Sequence, residues 1–260
     1  MAAVVPYVLL LDLDGTIQGD ISPQIQETNL LKALNLKQNS KFLKSDYTRG
    51  LLRPYFKDFI TEIFKSHANV ELFVYTASEK KWAHQIVGVI ESIIGRRFNR
   101  PIFTREDCKM TIEQHKSLAY VKPKILKSLR KKYDSVYSEE MLTGKTYLID
   151  NNHVLKEKEY LLKCPTYNHA VLVDVLRNIN MDKRIQHHKQ ISKFCSLDIS
   201  NNLWEMYKNV YLNLYEKSKQ CRERNHKLKD AYWKKVTLLF NAFKPDYERI
   251  FHAIKFMGQS

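Results

Sequence analysis

Near the start of the chain, Val8-Leu9-Leu10-Leu11 runs without interruption into Asp12-Leu13-Asp14-Gly15-Thr16. A short apolar run of this kind reads as a strand buried on both faces, as in a parallel sheet. Aspartate is depleted in strands, so two of them at spacing i, i+2 directly after the run need a reason. In an open α/β sheet, ligands bind beyond the carboxyl ends of the strands, which is where Asp12 and Asp14 would stand. Gly15 permits a sharp exit from the strand. Aspartate is also a common turn former, so the motif gains weight only if other strand ends bring polar groups to the same edge.

Two further strand ends do so. Val70-Glu71-Leu72-Phe73-Val74-Tyr75 ends in Thr76-Ala77-Ser78, and Thr146-Tyr147-Leu148-Ile149 ends in Asp150-Asn151-Asn152. Pro101–Phe103 and Ala170–Val173 are candidates for shorter strands. Helical spacing predicts a helix around Glu27–Leu36. It predicts another opened by Arg53-Pro54 (Phe56, Phe59, Ile60, Ile63), and a third through Trp82, Ile86, Val89, Ile90 and Ile93 that stops at Gly95. Lys122-Pro123 precedes a fourth, with Ile125, Leu126 and Leu129. Strands alternating with helices imply a parallel sheet with right-handed crossovers. Asp12/Asp14, Thr76/Ser78 and Asp150/Asn151 then share one edge, where they can surround one cavity fit for a phosphate and a metal ion.

The 260 residues carry 43 Lys/Arg and 28 Asp/Glu, a net charge of +15, which favours a polyanionic partner or a phosphorylated substrate. Residues 181–260 hold 16 Lys/Arg against 8 Asp/Glu, so they are more than twice as basic per residue as the rest. Three amphipathic helices are expected there: Leu203–Leu214, Tyr232–Phe243 and, after Pro245, Ile250–Met257. Their aromatic stripes read as packing surfaces. No run of eighteen apolar residues is present, so no membrane span is expected. No secretory signal is evident, and Cys108, Cys164, Cys195 and Cys221 form no CxxC pair. The expectation is an intracellular protein, nuclear or cytoplasmic, with reduced thiols.

The first motif, Arg53-Pro54, Tyr75-Thr76-Ala77-Ser78, Arg105-Glu106-Asp107-Cys108, Tyr120-Val121-Lys122 and Leu148-Ile149-Asp150-Asn151 follow one another in a telling order. Over roughly residues 6–175 this order resembles the RNA polymerase II C-terminal-domain phosphatases, the NLI-interacting-factor-like branch of the haloacid dehalogenase (HAD) superfamily. The resemblance implies an α/β fold: a HAD-like Rossmannoid parallel sheet flanked by helices, with a small insert and a C-terminal α-helical extension. The expected division is a phosphatase core over 1–178, with a flap at 18–50 and an insert at 96–121, and a basic helical extension over 179–260. Three features depart from the family. Gly15 is the general superfamily form, Met110 to Ser117 reads as an insertion, and the basic region after 180 has no counterpart.

The implied chemistry is Mg²⁺-dependent removal of phosphate from phosphoserine or phosphothreonine in proteins. Two carboxylates facing a phosphate dianion need a divalent cation, and an oxygen-ligand site of this type suits Mg²⁺. Asp12 is the expected nucleophile, forming an acyl-phosphate, and Asp14 the general acid and base. Asp12, the Asp14 carbonyl and either Asp150 or Asn151 would hold the metal. Thr76 would hydrogen-bond a phosphoryl oxygen, with Ala77 beside it, and Arg105 would contact the substrate phosphate. Lys122 would hold the nucleophile. It competes with Lys116, Lys124 and Lys127, and its place between Tyr120-Val121 and Pro123 favours it. Two alternatives are a phosphatase for nucleotides or nucleic-acid ends, and a phosphatase-like scaffold whose basic tail binds an acidic or nucleic-acid partner.

Overall fold

Val8 to Leu11 are fully buried and form the interior strand β1 (Tyr7–Leu11). The computed structural model of the chain describes residues 5–33, 40–108, 116–133, 137–171, 216 and 230–258. In it β1 pairs in parallel with β2 (Val70–Val74) on one side and β3 (Thr146–Asp150) on the other. A three-residue strand, β4 (Leu161–Lys163), extends the sheet in parallel beyond β3, giving the order β2-β1-β3-β4. The register sets Leu11 beside Val74 and Ile149. Asp12, Tyr75 and Asp150 therefore emerge side by side at the same edge, as the three strand ends predicted. The fold is α/β with a parallel sheet, as expected.

Alternation along β1 splits its side chains between two faces. Val8 and Leu10 pack with Phe73, Leu148 and the buried stripe Val121, Ile125 and Leu129 of a helix over Leu118–Tyr133. That helix starts a turn earlier than Lys122-Pro123 suggested and carries Pro123 inside it. Two helices that the sequence foresaw are present with small shifts of boundary: one over Phe56–Ser66 and one over Lys80–Ile94. The second ends at Gly95 in the left-handed conformation (φ 72°), which suits glycine.

The opposite face of the sheet is covered from the end of the chain. Phe251, on a helix over Tyr247–Met257, stacks on Tyr147 of β3 at 4.3 Å between centroids and lies 5.6 Å from Tyr7 of β1. The preceding helix, Tyr232–Phe243, sets Trp233 against Phe56 and Phe59 (5.0 and 4.7 Å) and Phe240 against Phe59 (5.7 Å). Met1–Ile17, Arg53–Tyr167 and Ala231–Ser260 accordingly form one unit. A boundary at 178/179 does not describe these two helices, which belong to the core. Amphipathicity announced that they would pack and could not say against what. The helix expected over Leu203–Leu214, and residues 172–173 of the possible last strand, lie outside the described residues.

Replacing Phe251 with alanine is expected to cost about 3–5 kcal/mol, read as a lowered denaturation midpoint, because a buried aromatic ring leaves a cavity that the sheet cannot close.

Gln18–Leu52 and Asn168–Asp230 form a second unit, which contains the segment expected to be a flap. It holds helices over Ser22–Ala33 and Ser40–Asp46, and Gln18 bridges Leu52 in antiparallel fashion. The Gln24 side-chain amide donates to Asp46 and to the Val171 carbonyl, each at 3.1 Å. Pro101–Phe103 contributes only an isolated parallel bridge, Phe103 to Tyr75.

Candidate active site

The chain leaves β1 through a tight turn in which the Thr16 and Ile17 amides donate to the Leu13 carbonyl (3.2 and 3.0 Å). Gly15 has φ 78°, and a Cβ placed there would lie 2.6 Å from the Asn151 side-chain nitrogen. The backbone conformation would strain any other residue here, and a Cβ would push the Asn151 side chain aside. Thr16 joins the same two loops: its hydroxyl donates to Asn151 Oδ1 (3.2 Å) and accepts from the Asn151 amide (3.1 Å).

Asp12 is held by its amide, which donates to Ile149 O at 3.0 Å, and its carboxylate is almost fully buried. The ammonium group that meets it belongs to Lys116. Lys116 Nζ lies 2.6 Å from Asp12 Oδ1 and 2.7 Å from Asp150 Oδ2, and the side chain is 3% exposed. The other oxygen of Asp150 accepts from the Asn152 amide at 2.8 Å. Burial pushes the Asp12 carboxyl up to about 7, with Asp150 and Asp14 acting in the same direction and Lys116 opposing them. Burial alone would lower the Lys116 ammonium, and the two carboxylates outweigh it and raise its pKa. The pair Asp12–Lys116 is therefore a charge-compensated group in a dry setting, where an uncompensated charge would be costly.

Lys116 replaces Lys122 in this position. Lys122 points to the ring of Tyr160, 5.9 Å from its centroid. Lys124 pairs with Asp107, and Lys127 is exposed. Lys116 stood in the stretch read as an insertion, and the structure shows how it reaches the site. Its amide donates to Val154 O (2.8 Å) and its carbonyl accepts from Lys156 N–H (2.9 Å), a parallel bridge that no local pattern announces. Ser117 next to it is tied to Glu157 by its hydroxyl (2.6 Å), and the Leu118 amide donates to the same carboxylate (3.1 Å).

The β2 end lies beside this group. Ser78 Oγ donates to Asp14 Oδ2 at 2.8 Å, while the Ser78 amide donates to the hydroxyl of the fully buried Thr76 at 3.2 Å. Arg105, exposed, gives its Nε–H to Ala77 O (2.8 Å) and its amide to Ser78 O (3.0 Å). The Tyr75 hydroxyl donates to Asp107 O (3.0 Å) and accepts from Ser117 N–H (3.2 Å), which links the Arg105 turn to the lysine. The structure thus gathers Asp12, Lys116 and Asp150, links Asp14 to Thr76 through Ser78, and sets Asn151 over Gly15. Ser78 stands at the edge where it was expected and gains a partner in Asp14; Lys116 comes from the competing lysines, and Tyr75 is an addition to the expected set.

Among the described residues, no three His, Cys, Asp or Glu side chains are grouped to hold a metal. A cation here would have to draw on carbonyl and amide oxygens as well as carboxylate. Asp12, the Asp14 carbonyl and the Asn151 amide oxygen make such an all-oxygen set, which fits a hard cation. Asp150 is the other candidate for the third position; both its oxygens accept hydrogen bonds, and Asn151 Oδ1 accepts from the Thr16 hydroxyl and the Asn152 side-chain amide. Cys108 and Cys164 are free thiols, and no described helix is long and apolar enough to cross a membrane.

A family model described as NLI interacting factor-like phosphatase matches residues 7–180. Among solved structures, the chain is similar to Fcp1, an essential RNA polymerase II CTD phosphatase. Identity is 16% and the TM-score 0.38, over 85% of this chain and 66% of that one. The chain thus spans just under two thirds of that protein. A fission yeast Fcp1 variant bound to beryllium fluoride gives 16% and 0.37 over the same shares. The HAD domain of the effector Lem4 from Legionella pneumophila gives 15% and 0.32, over 70% of this chain and 82% of that one. No curated protein matches the sequence.

Proposed function

The chain belongs to the NLI interacting factor-like phosphatases, the branch of the HAD superfamily that its motifs resemble, and from that premise we propose a Mg²⁺-dependent phosphatase acting on phosphoserine or phosphothreonine in proteins. The observation that carries the proposal is the buried Lys116 ammonium seated between Asp12 and Asp150.

Asp12 is the nucleophile. Its carboxylate attacks phosphorus, the bond to the serine or threonine oxygen breaks, and an aspartyl-phosphate forms and is then hydrolysed by water. Lys116 keeps the nucleophile ionised and fixed in a buried setting where burial alone favours the neutral acid. Asp14, oriented by Ser78, protonates the departing oxygen and then takes a proton from the attacking water, a contribution of about 10²- to 10⁴-fold. The Thr76 hydroxyl donates to a phosphoryl oxygen, and the Arg105 guanidinium, anchored through Ala77, faces the substrate phosphate. Bound Mg²⁺ would screen the charge between nucleophile and phosphate, held by Asp12, the Asp14 carbonyl and Asn151. The net charge of +15 favours an acidic phosphoprotein over a neutral substrate.

The test is phosphate release from phosphoserine and phosphothreonine peptides, nucleotides and phosphorylated oligonucleotide ends at one ionic strength, with Mg²⁺ and after its removal by a chelator. Turnover is expected on the peptides, lost with the chelator and restored by Mg²⁺. Preference for oligonucleotide ends would move the substrate class to nucleic acid, and no turnover on any of them would contradict the proposal.

A further inference from the structure

Trp233 lies beyond residues 7–180, the part of the chain that the family model covers, yet it reaches the catalytic loop. Its ring is fully buried against Phe56, Phe59 and Tyr232, and its indole N–H donates to the Thr16 carbonyl at 3.3 Å. The same carbonyl accepts from Arg53 Nη1 at 3.2 Å, and that nitrogen also lies 3.4 Å from Gly15 O. Arg53 is itself 2% exposed, and its guanidinium lies 4.8 Å from the Tyr232 ring centroid and 5.6 Å from that of Tyr167. Two buried donors, one from each side of a long stretch of sequence, thus converge on one carbonyl of the loop.

That carbonyl belongs to the residue whose hydroxyl exchanges two hydrogen bonds with Asn151. Gly15 O and Thr16 O belong to the two peptides that follow the Asp14–Gly15 peptide, so the donors to them restrain the loop that carries the Asp14 carbonyl. Metal sites depend on such outer contacts, because the groups that hold the ligands set ligand orientation. The contact is specific to tryptophan: of the apolar aromatic side chains, only an indole offers an N–H.

We propose that Trp233 is a positioning residue for the metal-binding side of the site, so that the helix Tyr232–Phe243 is a working part of the phosphatase. The inference rests on the reading given under Proposed function. Its readout is Mg²⁺ affinity, which can be measured without turnover.

Trp233→Phe keeps an aromatic ring in the core and removes the N–H. Phe240→Leu, on the same helix and packed on Phe59 and His67, loses packing and leaves the hydrogen bond from Trp233 to Thr16 O in place. Mg²⁺ binding by calorimetry, turnover across a Mg²⁺ series and thermal unfolding would be measured for both variants and the wild type. Trp233→Phe is expected to weaken Mg²⁺ binding and raise the Mg²⁺ half-saturation of turnover by about three- to tenfold, the range of one hydrogen bond. Phe240→Leu is expected to lower the unfolding temperature and leave Mg²⁺ affinity unchanged. Wild-type affinity in Trp233→Phe, or equal weakening in Phe240→Leu, would overturn the inference. A wild type that binds Mg²⁺ without turnover would remove the functional reading while the comparison of affinities still decides the role of Trp233. A wild type that neither binds Mg²⁺ nor turns over would remove both.

Discussion

Lys116→Met is expected to reduce turnover by about 10²- to 10³-fold, the range seen when one preorganised charge-stabilising donor is lost. It should also lower stability by about 3–5 kcal/mol, because removal of one partner leaves buried carboxylates without compensation. Asp12 and Asp150 are 5% and 0% exposed, so water cannot take the place of the ammonium without opening the site. Lys122→Met is the matching control. Its ammonium rests on the Tyr160 ring, and its loss should change stability by no more than about 0.5 kcal/mol and leave turnover unchanged. Steady-state kinetics and denaturant unfolding of the two variants decide between the two lysines. Full activity in Lys116→Met with loss in Lys122→Met would reverse the assignment.

Asp12→Asn is expected to lower turnover by at least about 10³-fold, because it removes the attacking oxygen's charge from a mechanism that splits one displacement into two. The fold should tolerate it, because Asn preserves the shape and Lys116 keeps its ion pair with Asp150 at 2.7 Å. The expected pattern is a cooperative unfolding curve close to that of the wild type together with an inactive enzyme. An inactive variant that is also unfolded would locate the effect in stability.

The parts that the sequence made legible are those whose signal is local. The apolar runs at Val8–Leu11, Val70–Val74 and Thr146–Ile149 are long enough to read as buried strands, and parallel pairing then places their ends together. Asp12, Asp14, Thr76 and Asp150 follow directly from that geometry. Lys116 was hidden because its neighbours are distant: 104 residues separate it from Asp12 and 34 from Asp150. The rule that favoured Lys122 was its place between Tyr120-Val121 and Pro123, and a place along the chain says nothing about a bridge to Leu155. The strand Leu161–Lys163 is too short for a period to register. Trp233 read as one aromatic in an amphipathic stripe, since a sequence shows that a face is apolar and conceals both what it covers and where one N–H points.

The most direct test of the central claim, that Asp12 held by Lys116 takes the phosphoryl group, is to quench the enzyme in acid during turnover of a phosphoserine peptide with Mg²⁺ and to map phosphate by mass spectrometry. A phosphorylated, hydroxylamine-sensitive Asp12 is predicted in the wild type, and none in Asp12→Asn. Sustained turnover with Asp12 never labelled, and undiminished in Asp12→Asn, would contradict the account.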